Sequence, residues 1–169
     1  MGEHICFRRN ERLATVNPHW RGNPVVRGKF VNRQPRFRPG MGSVLKWRLS
    51  PNPQRKEKKS VKWSPKLNYL RSLDGVVGNS LIWLGHNSFF LQLGRKRIMF
   101  DPVFGDIPFV KRQSDFPANP DIFTDIDYLL ISHDHFDHLD KQSVARLVKN
   151  NPGMKLFCGL GTGELIKGW

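Results

Sequence analysis

The sequence predicts an α/β domain over residues 80–169, preceded by an irregular basic arm over residues 1–79. Three observations predict it. Short apolar runs of strand length, separated by Gly, Pro and Asn, recur after residue 80. An amphipathic stretch with a capping aspartate follows the last of the longer runs. The residues before 80 hold 18 Lys and Arg against 4 acids, a net of +14, whereas residues 80–169 hold 10 of each.

The pI of 10.4 therefore describes the arm and not the domain. Prolines at 18, 24, 35, 39, 51, 53 and 65 interrupt the arm, and basic residues break each apolar stretch. Such composition buries too little apolar surface to offset the entropy of ordering the chain, so an extended or partly disordered arm is expected. Gln54-Arg55-Lys56-Glu57-Lys58-Lys59 reads as a charged linker. Trp20, Phe30, Phe37, Trp47, Trp63 and Tyr69 are scattered through the arm. Either they pin it to a folded body, or with their basic neighbours they stack on single-stranded nucleic acid. No recognition module accompanies them. An anionic membrane surface is the other partner that the charge suits.

Order is expected from residue 80. Leu81-Ile82-Trp83-Leu84 reads as a strand, Gly85-His86-Asn87 as a turn, and Ser88–Leu93 as a second strand. Gly94-Arg95-Lys96 connects tightly into a third, Arg97–Asp101, which Pro102 ends. Residues 104–125 form a Pro- and Asp-rich excursion, and residues 127–131 a fourth strand. Asp140 is a suitable N-cap for a helix with Val144, Leu147 and Val148 on its apolar face, and Leu139 can staple onto Val144. Asn150, Asn151, Pro152 and Gly153 end it. Lys155–Cys158 is a short strand, and Thr162 is expected to cap a last helix.

Cys6 and Cys158 are the two cysteines, too few for a disulfide framework or a clustered thiolate site. The N-terminus lacks the apolar core of a signal peptide, Phe7 breaks a myristoylation pattern after Gly2, and no apolar run has the length of a membrane span. A cytoplasmic location, peripheral to the membrane, is the expectation.

Directly after the apolar run Tyr128–Ile131 and Ser132, residues 133–138 read His-Asp-His-Phe-Asp-His. Imidazole and carboxylate are the ligands zinc takes when sulfur is absent. Alternate residues of an extended segment point the same way, so His133 and His135 can converge on one ion. Asp137 and His138 follow in the turn and can face a second. Asp134, between the ligands, is expected to face solvent or cap backbone.

The spacing His-x-His-x-Asp-His resembles that of the metallo-β-lactamase superfamily. Trp83-Leu84-Gly85-His86-Asn87-Ser88-Phe89, Phe100-Asp101-Pro102-Val103-Phe104, Ile126–Ser132 and Leu139-Asp140 extend the resemblance. They look like the branch of the N-acyl-phosphatidylethanolamine-hydrolysing phospholipases D and their bacterial relatives, with the ascorbate-phosphate lactonase-like proteins as neighbours. Gly159-Leu160-Gly161, Gly28-Lys29-Phe30-Val31-Asn32 and Leu45-Lys46-Trp47 fit more loosely.

The resemblance implies the first half of an αββα sandwich. It implies His133 and His135 on one metal, Asp137 and His138 on a second, and a zinc-bound hydroxide as nucleophile, with Asp137 orienting it or relaying its proton. Asp101 would either orient a ligand imidazole or cap its strand end. His86 would either reach the substrate pocket or bond locally within its turn.

The substrate class implied is a small-molecule or phospholipid-like phosphodiester. The alternatives are a nuclease using the basic arm, or a non-catalytic remnant. Zinc usually takes about three protein ligands, and this motif gives two per metal. His4, His19 and His86 do not stand where the family places the others. The expectation is therefore a truncated chain, inactive and poorly stable by itself.

Overall fold

The computed structural model describes residues 4–13, 17–31, 40–61, 66–108 and 111–169. Met1, Gly2, Asn32, Pro35, Phe37, Pro39, Trp63 and Pro65 lie outside the described residues. The chain divides into two compact units, Met1–Trp63 and Ser64–Trp169.

The first unit holds more regular structure than its composition predicts. Strands β1 (Cys6–Arg8), β2 (Asn23–Val26) and β3 (Lys29–Phe30) form an antiparallel sheet in the order β1-β2-β3. Arg27 and Gly28 turn the β2–β3 hairpin with φ of 50° and 77°, the positive pair that matches strand twist. Helices α1 (Met41–Leu49) and α2 (Arg55–Ser60) follow, with no buried residues. The expected linker is thus largely α2, because Lys, Arg and Glu are good helix formers even where nothing packs against them. Phe30 and Trp47 are exposed.

Residues 66–79, expected to belong to the arm, fold with the second unit. Leu73 is 3% exposed, and Leu70 and Val76 pack against the same core. Leu70 N–H donates to Pro117 O at 2.8 Å, and Gln92 Nε2 donates to Val76 O at 2.9 Å. Isolated apolar residues among charges and glycines carry no periodicity, so the sequence hides this strap.

The second unit is built on one five-stranded sheet. Its strands are β4 (Ser80–Gly85), β5 (Ser88–Leu93), β6 (Lys96–Phe100), β7 (Tyr128–Ile131) and β8 (Lys155–Cys158), in the order β4-β5-β6-β7-β8. The first three are antiparallel, while β6, β7 and β8 run parallel. Helix α3 (Lys141–Asn150) crosses from β7 to β8. Asp140 caps it, its carboxylate accepting from Ser143 N–H at 2.9 Å. Helix α4 (Thr162–Ile166) closes the described chain. Its N-cap is Gly161 and not Thr162, because the chain enters at φ 96°, which glycine tolerates.

One sheet face, Leu84, Phe90, Met99, Leu129 and Ile131, is buried under Val144 and Leu147 of α3. The excursion between β6 and β7 adds a ring cluster: Phe123 stacks on Phe104 at 5.9 Å and meets Phe90 at 5.9 Å. Each such side chain contributes roughly 1.5–3 kcal/mol on burial.

The opposite face is also apolar. Strand register lines Trp83, Phe89, Phe100, Leu130 and Phe157 in one row and Leu81, Leu91, Ile98 and Tyr128 in the next. Trp83 is 54% exposed and Leu81 65%. A sheet apolar on both faces belongs in a layered architecture with cover on each side, as the expected αββα arrangement has. No helix among the described residues is long and apolar enough to cross a membrane.

Candidate metal centre

Three connections meet at one end of the sheet. The parallel strands β6 and β7 both end there, leading into Asp101 and into Ser132. The β4–β5 hairpin turns there at His86-Asn87, since Phe89 pairs with Phe100. His86 and Asp101 have left-handed backbones, φ 51° and 39°. Non-glycine residues adopt this conformation at a cost and persist in it when the surroundings fix them.

The fixing groups are visible. The fully buried Ser88 hydroxyl donates to Asp101 O at 2.8 Å and accepts from Val103 N–H at 2.9 Å, which locks the turn after β6. Trp83 Nε1 donates to His86 O at 2.8 Å and holds the hairpin turn by its backbone. Gly85, at φ 94°, lies so close to the Arg112 guanidinium that a Cβ would collide with it. Arg112 in turn donates to Leu84 O at 2.9 Å and Val103 O at 3.1 Å, and burial pulls its pKa down.

Asp101 organises the His box. Its Oδ1 accepts from Ser132 N–H at 2.7 Å, and its Oδ2 accepts from Ser132 Oγ at 2.6 Å and from His138 Nδ1 at 2.8 Å. It therefore both accepts a backbone N–H from the neighbouring strand end and holds an imidazole. Asp101 Oδ2 is the acceptor here, so His138 donates through Nδ1 and its Nε2 lone pair faces Asn87 Nδ2, 3.0 Å away. Ser132 gives its proton to Asp101 and so accepts from His133 Nδ1, 2.9 Å away. His133 thereby also turns Nε2 outward. One carboxylate sets two imidazoles, one of them through a hydroxyl.

The rings form one cluster. His133 lies 4.0 Å from His138 and 4.6 Å from His135, centroid to centroid. His86 Nε2 lies 3.1 Å from Asp137 Oδ2, and His138 Nε2 lies 3.7 Å from the same oxygen. Ligand atoms of His86, Asp137 and His138 all fall within 4.8 Å of one another. The hydrogen bond to His86 holds the Asp137 carboxyl below the usual range. Asp134 is exposed. His86, read from sequence as a pocket or turn residue, thus reaches the ligand cluster itself. Sequence reasoning missed Asn87, Ser88 and Ser132. Their signal is their place in the two stretches, Trp83–Phe89 and Ile126–Ser132, that carry the resemblance.

Beside His86 runs a cleft of about 250 Å³, lined by Trp83, Val103, Ile107, Lys111 and Arg112 among others. It joins an apolar wall to two cationic side chains.

Residues 96–169 match the family model described as a beta-lactamase superfamily domain. Over this segment the resemblance to the superfamily holds. An N-acyl-phosphatidylethanolamine-hydrolyzing phospholipase D of Caenorhabditis elegans is 34% identical over 91 residues, 50% of this chain and 26% of that protein. A UPF0173 metal-dependent hydrolase of Saccharolobus solfataricus is 35% identical over 77 residues, 46% of this chain and 31% of that protein. A solved structure of a proposed metal-dependent hydrolase from Parabacteroides distasonis aligns with 20% identity and a TM-score of 0.42, covering 53% of this chain and 34% of that one. The chain spans about a quarter to a third of the length of these two curated relatives.

Proposed function

We propose that the His box of this chain is part of the active site of a metal-dependent hydrolase that cleaves phosphodiesters of small molecules or phospholipids. The observation that carries this reading is the convergence of His86 Nε2, Asp137 Oδ2 and His138 Nε2 within 4.8 Å, with Asp101 behind His138. Two imidazoles and a carboxylate, with no thiolate, suit zinc, and the ring cluster of His133 and His135 alongside gives donors for a second divalent ion. Such ions would supply Lewis acidity and bring the pKa of water to about 7.

The chain's own residues do the rest. Asp101 keeps His138 in the tautomer that a cation needs, and Ser132 extends this to His133. Asp137 Oδ2, 3.1 Å from His86 Nε2, would help hold an ion and orient a water beside it. Similarity to the nematode phospholipase D supports a phospholipase D-like reaction, in which water replaces the alcohol on phosphorus. The charge of residues 1–79 supports contact with an anionic membrane from the cytoplasmic side.

Zinc-dependent release of phosphatidic acid from N-acyl-phosphatidylethanolamine vesicles, by the chain or by any longer product of its reading frame, tests the reading. Cleavage that His133→Ala abolishes supports it. A zinc-loaded, folded protein that cleaves no phosphodiester overturns it. Salt-sensitive binding and cleavage of single-stranded nucleic acid, lost on deleting residues 1–63, which leaves the second unit whole, would replace it with the nuclease reading.

A further inference from the structure

Helix α1 (Met41–Leu49) lacks what usually orders so short an element. It has nine residues, and isolated helices below about 12–15 residues are marginal in water. Gly40 supplies no side-chain cap, and no residue of the helix is buried. Met41, Val44, Leu45, Trp47 and Leu49 are all exposed, Trp47 by 77%. At 3.6 residues per turn these side chains occupy an arc of roughly 200°, with Gly42, Ser43 and Lys46 on the remainder. Arg48 lies inside the apolar arc.

Charge decides what fits that arc. Helix α1 carries Lys46 and Arg48 and no acid, and α2 adds Arg55, Lys56, Lys58 and Lys59 against Glu57 alone. A second copy of this chain would set like charges against each other. A protein groove would have to desolvate Arg48 amid apolar residues and give it an acid. Single-stranded nucleic acid offers Trp47 a base to stack on, but nothing to Met41, Val44, Leu45 and Leu49. An anionic lipid surface meets every requirement. Acyl chains take the aliphatic side chains, Trp47 sits at headgroup depth, and Lys46 and Arg48 reach up to phosphates along their own stems. The basic residues of α2 add attraction to the same headgroups.

We propose that α1 is an interfacial helix that lies in the headgroup layer of an anionic membrane, with Met41, Val44, Leu45, Trp47 and Leu49 toward the acyl chains. This deepens the proposed membrane contact of the basic arm and rests on it, not on the metal chemistry. The lipid supplies the apolar burial that a nine-residue helix lacks in water.

Flotation of the full 169-residue chain with vesicles tests this, because bound protein rises and aggregated protein sinks. The wild type should float with vesicles of phosphatidylcholine mixed with phosphatidylglycerol. Pure phosphatidylcholine should bind it about 10-fold more weakly, and added salt should narrow the gap. The double variant Leu45→Glu, Trp47→Glu keeps good helix formers at both positions. It should weaken binding to the mixed vesicles by about 100-fold. Brominated acyl chains should quench the tryptophan emission of the wild type, and Trp47→Phe should lose most of that quenching. Equal flotation of wild type and double variant overturns the proposal and leaves a membrane contact elsewhere in the arm. A wild type that does not float overturns both. A double variant that loses oligonucleotide binding or self-association, with flotation unchanged, overturns it in favour of that partner. These readouts need neither metal nor turnover, so the hydrolase reading stands or falls apart from them. Circular dichroism identifies a variant that has failed to fold, and the quenching of Trp47 then decides.

Discussion

His138 Nδ1 donates to Asp101 Oδ2 at 2.8 Å, joining the end of the His box to the residue that follows β6. Both side chains are largely shielded, at 17% and 10% exposure, so water competes little with the bond. The same carboxylate reaches His133 through Ser132. Asp101→Asn keeps the left-handed backbone, which asparagine tolerates, but loses the charge that makes the imidazoles good ligands. It should lower zinc affinity by about 10–100-fold with the fold retained. Competition with a chromophoric chelator, beside a circular dichroism spectrum, checks both halves of this.

Asn151 ends α3 in the core. Its Oδ1 accepts from Ile126 N–H at 2.9 Å, and its Nδ2 donates to Phe123 O at 2.8 Å and Leu147 O at 2.9 Å. Asn151→Ala leaves a buried N–H unpaired, which costs about 1–3 kcal/mol. It should destabilise more than Asp140→Ala, a cap loss of about 1 kcal/mol. Urea denaturation of the three proteins gives the order.

Asp121 bridges the turn before β7 to α3. It accepts from Arg146 Nε at 2.7 Å and Arg146 Nη2 at 2.6 Å, which lowers its pKa from 3.8 to about 2. A carboxylate depressed on folding contributes stability above its unfolded pKa and loses it as pH falls through the folded value. The window is therefore pH 3.8 down to about 2. Asp121→Asn should flatten the acid limb of the stability curve within this window. The pair is exposed, so the change should be small. Thermal melts at stepped pH measure it.

The half-exposed row through Trp83, Phe89, Phe100, Leu130 and Phe157 should make the 169-residue chain self-associate. The double variant Trp83→Lys, Phe157→Lys alters its exposed ends without touching the buried face. It should remain monomeric at concentrations where the wild type aggregates, as light scattering would show.

Cys158 lies at the end of β8, where burial raises its thiol pKa, whereas Cys6 is exposed. Iodoacetamide at pH 8 should modify Cys6 first, and peptide mapping over time gives the two rates.

Much of the second unit was legible because its strands alternate in register and its helix carries both a cap and a periodic face. Asp140, Val144 and Leu147 are read directly from that pattern. The His box was legible from density and spacing alone. Leu73 was not, because one buried leucine among charges leaves no period. Nor was α2, whose Lys and Glu residues are equally at home in a linker. The place of His86 in the ligand cluster was hidden for a different reason. Fifty-one positions separate it from Asp137, and the two meet because the sheet brings the β4–β5 turn and the end of β7 to one side. Asn87 and Ser132 have ordinary turn chemistry, and their roles follow only from where the neighbouring strands end.

The central claim is that the His box holds a divalent cation. Zinc content after loading and exhaustive dialysis, for the wild type and for the Asp137→Ala, His138→Ala double variant, tests it most directly. The account predicts about one retained zinc per wild-type chain and loss of it in the double variant. A folded wild-type chain without zinc, or a double variant that retains as much, would contradict it.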